Sequence, residues 1–191
     1  MTTTRLIVIG GSAGGLDALA VVLRTLPPAF AVPIAVVLHV RSDRPSLLAT
    51  VLRDATALPV VEVDDKQPLV PGTIHVGPPN YHLQVEKGGT LSLSIDAPVN
   101  FSRPAIDVLF ESAADAFGAA LVAVLLSGAS DDGTRGLVHV VAHGGRALVQ
   151  DPATASAPTM PAAALATMTP HEVLPPRQLG EVLAALGLEA A

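Results

Sequence analysis

Residues 6–15 read LIVIGGSAGG, a short apolar run that ends in a glycine-rich turn. An uninterrupted apolar run of this length is typical of a buried β-strand. Apolar residues then recur at helical spacing over residues 16–26, and Pro27 and Pro28 end the helix. The start of the chain therefore predicts a strand, a tight glycine turn and a helix.

The same alternation recurs along the chain. A second apolar run over residues 34–39 leads through a polar loop to a predicted helix over 46–57, and a third strand is predicted at 60–63. Strands that are apolar on both faces and alternate with helices indicate a parallel sheet covered on both sides. We therefore predict an α/β fold with a doubly wound, mostly parallel sheet and helices on both faces.

The middle of the chain departs from this rhythm. Short strands are predicted over 73–76, 82–86 and 90–94, and Gly88-Gly89 joins the last two as an inserted β-hairpin. Ser102 is expected to cap a helix that ends at Gly118. The alternation then returns, with predicted strands over 121–126, 146–150 and near Val173, and helices over 134–143, 158–168 and 178–186. No linker or repeat divides the chain, so we expect residues 1–191 to form one domain.

Composition excludes several classes of function. The 191 residues are 50% apolar and carry a net charge of −6, which is the wrong sign for binding many phosphates, so no nucleic-acid partner is expected. The absence of cysteine excludes disulfides, thiolate metal sites and a cysteine nucleophile. The longest apolar run, over residues 119–126, is far shorter than the ~18 residues that suggest a membrane span. We expect a soluble cytoplasmic protein without membrane insertion.

The glycine turn offers two chemical interpretations. Ser12 lies at the centre of a G-x-S-x-G pattern, in which small neighbours allow a sharp bend that exposes a nucleophilic hydroxyl beside a helix N-terminus. The glycines also resemble the dinucleotide pattern G-x-G-x-x-G, with serine in place of the second glycine. The acid that dinucleotide sites place after the second strand is absent, and His39 stands there instead. A turn without any chemistry is the third interpretation.

Two further residue types fit a serine nucleophile. His39 follows the second predicted strand, so it leaves the same carboxyl edge of the sheet as Ser12 and is a candidate base. A carboxylate usually orients such a histidine, and the loop after the strand at 121–126 contains Asp131 and Asp132. Sequence spacing does not separate these two aspartates, and either can instead cap a helix.

The remaining charged candidates are weaker. His139 and His143 are one helical turn apart, as zinc ligands can be, but glutamate is missing from the H-E-x-x-H pattern, so a partly exposed helix face is preferred. Asp107, Glu111 and Asp115 form a stripe that is most simply the solvated face of a helix. The sequence indicates no partner for the other three histidines, which are His75, His82 and His171.

Several long motifs resemble the catalytic domain of the CheB-type chemotaxis protein-glutamate methylesterases. They are LIVIGGSAGG, LHV at 38–40, LVPGTIHVGPPNYHL at 69–83, PVNFSRPAIDVLFESAA at 98–114, LLSGASDDGTRGL at 125–137 and QDPATASAPTMPAAAL at 150–165. The resemblance spans nearly the whole chain and keeps the family's order. It implies a parallel α/β sheet with a hairpin, and hydrolysis of glutamyl methyl esters on chemoreceptor helices to glutamate and methanol. Some relatives also deamidate receptor glutamines.

The resemblance also assigns site residues. The family's serine nucleophile falls on Ser12, its histidine on His39, and its aspartate on Asp132, because Asp-Gly is the matching element. We expect methylated chemoreceptor helices as the partner, with no cofactor and no metal. Family members typically begin with a receiver domain, whereas this sequence starts at the catalytic strand, so we expect no regulation by phosphorylation within the chain. The alternatives are a non-catalytic signalling or binding domain of the same fold and a nucleotide-dependent oxidoreductase.

Overall fold

The computed structural model describes residues 4–39 and 46–189, so the polar loop predicted between residues 39 and 46 and the chain ends lie outside the described residues. The strands are β1 (Leu6–Gly11), β2 (Ile34–Leu38), β3 (Val60–Glu62), β4 (Gln67–Pro68), β5 (Ile74–Val76), β6 (His82–Glu86), β7 (Thr90–Ser94), β8 (Leu121–Leu125), β9 (Arg146–Gln150) and β10 (Glu172–Leu174). The helices are α1 (Gly15–Leu23), α2 (Leu48–Arg53), α3 (Ile106–Phe117), α4 (Thr134–Ala142), α5 (Thr159–Thr167) and α6 (Pro176–Glu189).

Seven strands form one parallel sheet in the order β10-β9-β8-β1-β2-β5-β3. The predicted doubly wound parallel sheet is therefore confirmed. The strands β4, β7 and β6 form a separate antiparallel sheet, in which the predicted hairpin joins β6 and β7 through Gly88-Gly89. The sequence did not predict β4, because it is only two residues long.

Helices cover both faces of the parallel sheet. Ile7 and Ile9 of β1 face a buried cluster that includes side chains of α1, α2 and α6. Leu6 and Val8, whose side chains point the opposite way along the strand, face a second cluster that includes α3, α4, α5 and the small sheet. Complete burial of each such aliphatic side chain contributes roughly 1.5–3 kcal/mol. The two cores therefore lie on opposite faces of the parallel sheet.

The start of α3 differs from the prediction. Ser102 does not cap this helix; it pairs with Val99 in an isolated bridge, and the helix begins only at Ile106. The first amides of α3 are instead satisfied from a distant loop, because Asp132 accepts hydrogen bonds from the N–H groups of Ile106 and Asp107 at 2.7 and 3.1 Å. A carboxylate at a helix N-terminus is also favoured by the helix dipole.

The chain order places a crevice at the carboxyl edge of the central strands. From β1 the chain passes to β2 on one side, and it later returns to β8 on the other side of β1. Such a reversal of strand order is where doubly wound sheets bind ligands. Within the described ranges, no helix is long and apolar enough to cross a membrane.

Candidate active site

Ser12 lies immediately after β1, at the start of a tight turn into α1. Its backbone N–H donates to the Ser127 carbonyl oxygen at 2.9 Å, and its carbonyl accepts from the Gly15 N–H at 2.8 Å. The turn passes through Gly14, whose φ of 72° is in the left-handed region. A Cβ at this position would also lie 2.6 Å from the Ser156 Cβ. Only glycine therefore fits the bend that presents Ser12 at the sheet edge.

Two buried polar residues hold the Ser12 turn in place. The Ser127 hydroxyl donates to the carbonyl of Ala13 at 2.7 Å and accepts from the N–H of Ala157 at 2.9 Å. The Gln150 side chain in turn accepts from the Ser127 N–H at 2.9 Å. Local sequence patterns do not mark either residue, because their role depends on contacts between β1, β8 and β9.

His39 lies beside Ser12, directly after β2. Gly11 of β1 is in register with Leu38 of β2, and the His39 N–H donates to the Gly11 carbonyl at 3.0 Å. Adjacent strands are about 4.8 Å apart, so the two residues leave the sheet side by side. The structure shows no hydrogen bond between the Ser12 and His39 side chains within the described part of the chain. In unliganded active sites this contact is often long and tightens when substrate binds.

The His39 ring is held by Asp132. Its Nε2 lies 2.8 Å from the Asp132 Oδ2, and the imidazole is 15% exposed whereas the carboxylate is completely buried. An ionised carboxylate can only accept, so the shared hydrogen belongs to Nε2. In the neutral ring Nδ1 then carries the free lone pair.

Asp132 is surrounded by donors on both oxygens. Oδ2 accepts from His39 and the Ile106 N–H, and Oδ1 accepts from the Asn100 Nδ2 at 2.9 Å and the Asp107 N–H at 3.1 Å. Burial alone would raise the pKa of Asp132, but these four hydrogen bonds together outweigh it, so the pKa lies below its ordinary value. The carboxylate is therefore ionised at neutral pH. The neighbouring Asp131 is exposed, and among the described residues it makes no hydrogen bond or ion pair with His39.

Asn100 joins two buried carboxylates. Its side-chain NH₂ donates one hydrogen to Asp132 and the other to the Asp107 Oδ2 at 3.0 Å. The backbone of Asn100 has a φ of 50°, a left-handed conformation that asparagine tolerates better than most residues. No short motif marks this role in the sequence, because Asn100 precedes α3 in an irregular segment.

The assignment of Asp107 to a solvated stripe is wrong. Asp107 is only 2% exposed, and its Oδ1 accepts from the N–H groups of Gly133 and Gly136 at 2.9 and 2.7 Å. Burial raises the pKa of Asp107, and the negative charge of the nearby Asp132 raises it further. The hydrogen bonds that Asp107 accepts lower its pKa but do not outweigh these two effects. Asp107 thus anchors the start of α4 to α3, while Asp115 of the same predicted stripe is exposed.

The other histidines lie away from Ser12 or act structurally. His139 in the last turn of α4 and His143 just after it are partly exposed, as predicted, and both face Asp115 of α3. Three remaining histidines accept hydrogen bonds from backbone N–H groups, which sequence spacing did not reveal: His75 from Val70, His82 from Ala105, and His171 from Ala147. The structure therefore brings His39 and Asp132 together beside Ser12.

Comparisons with known proteins extend the resemblance. The family model described as CheB methylesterase matches residues 7–183. A Leptospira interrogans (strain Fiocruz L1-130) protein named "Putative protein-glutamate methylesterase/protein-glutamine glutaminase" is 41% identical over 180 residues, which cover 94% of this chain and 93% of that protein. The protein-glutamate methylesterase FrzG of Myxococcus xanthus is 38% identical over 178 residues, covering 93% of this chain and 53% of FrzG.

A solved structure agrees with the same family. The crystal structure of the Thermotoga maritima CheB methylesterase catalytic domain matches with a TM-score of 0.91 at 30% sequence identity, and the match covers 97% of this chain and 100% of that one. The predicted resemblance to a family of carboxylic ester hydrolases is confirmed by these matches. The chain belongs to the CheB methylesterase family.

Proposed function

We propose that this chain is a single catalytic domain that hydrolyses glutamyl methyl esters on chemoreceptor helices to glutamate and methanol. The observation that carries the proposal is the hydrogen bond between His39 and the buried Asp132. This pair lies beside Ser12 at the carboxyl edge of the parallel sheet, in a chain that belongs to the CheB methylesterase family. A serine, a histidine and a carboxylate in this arrangement form the acyl-transfer triad that recurs on unrelated folds. A cytoplasmic location, where receptor helices are accessible, belongs to the same proposal.

The first half of the reaction forms an acyl-enzyme. The His39 Nδ1 removes the hydroxyl proton of Ser12 while Oγ attacks the ester carbonyl carbon. The tetrahedral intermediate then collapses: the bond from carbon to the methoxy oxygen breaks, and His39 returns the proton so that methanol leaves. In this scheme Asp132 keeps the ring oriented and stabilises its transient positive charge, and it does not itself take the proton.

The second half restores the serine. Water takes the place of methanol, gives a proton to His39 and attacks the acyl carbon, and Oγ leaves with the returned proton. A glutamine side chain would follow the same steps with ammonia as the leaving group, which makes glutamine deamidation the natural second activity. Several relatives carry both activities in their names.

The Ser12 turn also offers donors for the oxyanion. Nucleophile turns use the backbone N–H of the residue after the serine, which here is Ala13. Within the described residues, neither Ala13 nor Gly14 donates its N–H to another group. Both amides lie at the N-terminus of α1, whose dipole favours negative charge. We assign these two amides to the developing oxyanion.

A protein substrate fits the surroundings of the site. Phe101 is fully exposed, and it follows Asn100, whose amide contacts Asp132. Its backbone φ of 60° is in the left-handed region, so the aromatic ring is presented on a strained loop tip. An exposed aromatic side chain close to a catalytic carboxylate is suited to contact an apolar patch on a receptor helix.

Methanol release from methylated chemoreceptor cytoplasmic fragments tests the proposal. Ser12→Ala should abolish release while the melting temperature stays unchanged, because the substitution removes one oxygen from a surface turn. Ser156→Ala is the matched control, since Ser156 is an exposed serine that lies beside Gly14. Unchanged release in Ser12→Ala would refute the proposal. No release by any variant from a panel of receptors and simple methyl esters would favour a non-catalytic binding domain.

A further inference from the structure

A second cluster of chemically capable side chains lies between α3 and α4. The Asp115 Oδ1 is 2.7 Å from the His139 Nε2 and 3.5 Å from the His143 Nε2. The three ligand atoms all lie within 4.8 Å of one another. Spacing of four residues places the ring of His139, in the last turn of α4, on the same side as that of His143, the residue that follows α4. The helix α3 supplies the carboxylate. An H-E-x-x-H pattern, which needs a glutamate between the two histidines, does not describe this arrangement, because its carboxylate comes from α3.

The hydrogen bonding of His143 leaves a ligand nitrogen facing the carboxylate. Its Nδ1 lies 2.9 Å from the His139 carbonyl oxygen, which can only accept, so Nδ1 carries the hydrogen. In the neutral ring Nε2 therefore presents a lone pair to the Asp115 oxygen. A cation placed between these two atoms, 3.5 Å apart, would be attracted to both of them. A backbone carbonyl that fixes the ring in this way is a common second partner of metal-bound histidine.

We propose that His139, His143 and Asp115 bind a divalent ion of the zinc class. Two imidazoles and one carboxylate are a ligand set that zinc uses, with a water molecule in the fourth position, whereas Mg²⁺ and Ca²⁺ prefer oxygen ligands alone. The ion takes the place of the hydrogen that the His139 Nε2 shares with Asp115. That same hydrogen moves to Nδ1, so the His139 ring stays neutral. No other atom changes its proton count.

The observed spacing is close to what a tetrahedral ion needs. Bonds of about 2.1 Å place neighbouring ligand atoms about 3.4 Å apart. The separation between His143 Nε2 and Asp115 Oδ1 is already 3.5 Å, and that between His139 Nε2 and the same oxygen must lengthen from 2.7 Å. The three side chains are between 35% and 59% exposed, so they can make this adjustment without disturbing the core.

The location assigns the metal a structural role. Asp115 lies eight residues beyond Asp107 along α3, or about 12 Å at the rise of an α-helix. The ion would therefore lie far from the Asp132 end of α3 and cannot touch the groups beside Ser12. It would link the C-terminal ends of α3 and α4, whose N-terminal ends are linked through Asp107. This proposal does not depend on the esterase activity.

Zinc titration of the metal-free chain without a histidine tag tests the proposal. Isothermal titration at about pH 7.5 should show one Zn²⁺ per chain, and affinity should fall at about pH 6 because protons compete for the imidazoles. His139→Ala, His143→Ala and Asp115→Asn should each weaken binding by about tenfold or more. His171→Gln is the matched control because His171 is exposed and lies outside the cluster. Ser12→Ala should bind zinc like the wild type.

Thermal melts provide an independent reading. Zinc at about a hundredfold excess over its dissociation constant should raise the melting temperature of the wild type by about 5 °C or more. At the same zinc concentration the cluster variants should shift by about half as much or less, because a tenfold weaker affinity about halves the stabilisation. In chelator the variants should melt at the same temperature as the wild type. Equal zinc binding by the wild type and all three variants, or no binding at about 100 µM free Zn²⁺, would overturn the proposal.

Discussion

Replacing Asp132 with asparagine should reduce both turnover and stability, because the new NH₂ group must face donors. The carboxylate now accepts two hydrogen bonds on each oxygen. If the new NH₂ of Asn at position 132 takes the place of Oδ1, it faces the Asn100 NH₂ and the Asp107 N–H. Three hydrogen-bond donors would then point at one another with no acceptor among them. The amide should therefore turn its NH₂ toward His39 and the Ile106 N–H, because the ring can change its tautomer and accept.

This orientation sets the size of both effects. The Ile106 N–H loses its buried acceptor, which costs about 1–3 kcal/mol. For a chain of this length, about 2 kcal/mol corresponds to a fall in melting temperature of about 4–8 °C. His39 would then accept on Nε2 and carry its hydrogen on Nδ1, where it can no longer take the proton of Ser12. In serine proteases the same change of tautomer lowers turnover by about 10⁴-fold.

Asp131→Asn provides the matched control, because Asp131 is exposed and adjacent in sequence. Both variants are compared with the wild type for methanol release from methylated receptor fragments and for thermal unfolding. We expect Asp131→Asn to stay within about 0.5 kcal/mol of the wild type, as surface substitutions usually do. Equal losses in the two variants would refute the reasoning, and so would turnover in Asp132→Asn within tenfold of the wild type.

Three further predictions follow from the hydrogen bonds and pKa shifts. Nitrogen-15 NMR should find neutral His39 protonated at Nε2; a resting Nδ1–H tautomer would contradict the assigned bond to Asp132. Asn100→Ala should lower the free energy of unfolding by about 1–3 kcal/mol in urea titrations, because two carboxylates lose a donor, and an unchanged value would show that the bridge contributes nothing. Burial lowers the pKa of His75 from 6.5. Below pH 6.5 the unfolded chain therefore binds a proton at His75 more readily than the folded state does. Stability should therefore decline as pH falls below 6.5, by up to about 1.4 kcal/mol per pH unit, and His75→Gln should flatten this slope; equal slopes would contradict it.

Local patterns in the sequence predicted most of the fold. Apolar runs identified β1, β2, β8 and β9 within one or two residues, and helical spacing placed the start of α1 within one residue, because these elements bury continuous apolar surface. The same patterns placed Ser12 and His39 at one edge, since parallel strands end there together. The resemblance to a family, and not spacing, distinguished Asp132 from Asp131.

Features that depend on distant contacts could not be read from local patterns. The cap of α3 comes from Asp132, 26 residues beyond Ile106, so the nearby Ser102 was a misleading candidate. Asp107 follows the helical spacing of an exposed stripe, but the approach of α4 buries it. Asn100 reaches Asp132 from a loop whose path no pattern of hydrophobicity predicts. In each case tertiary packing overrode a sound local preference.

Labelling with a fluorophosphonate tests the central claim most directly, because this probe reports an activated serine without requiring the correct receptor. Mass spectrometry of the digested protein should find one phosphonyl group, on Ser12. Ser12→Ala should not react, Asp132→Asn should react far more slowly, and Asp131→Asn should react like the wild type. Failure of the wild type to react, or labelling that persists in Ser12→Ala, would contradict the account of Ser12 as a nucleophile activated by His39 and Asp132.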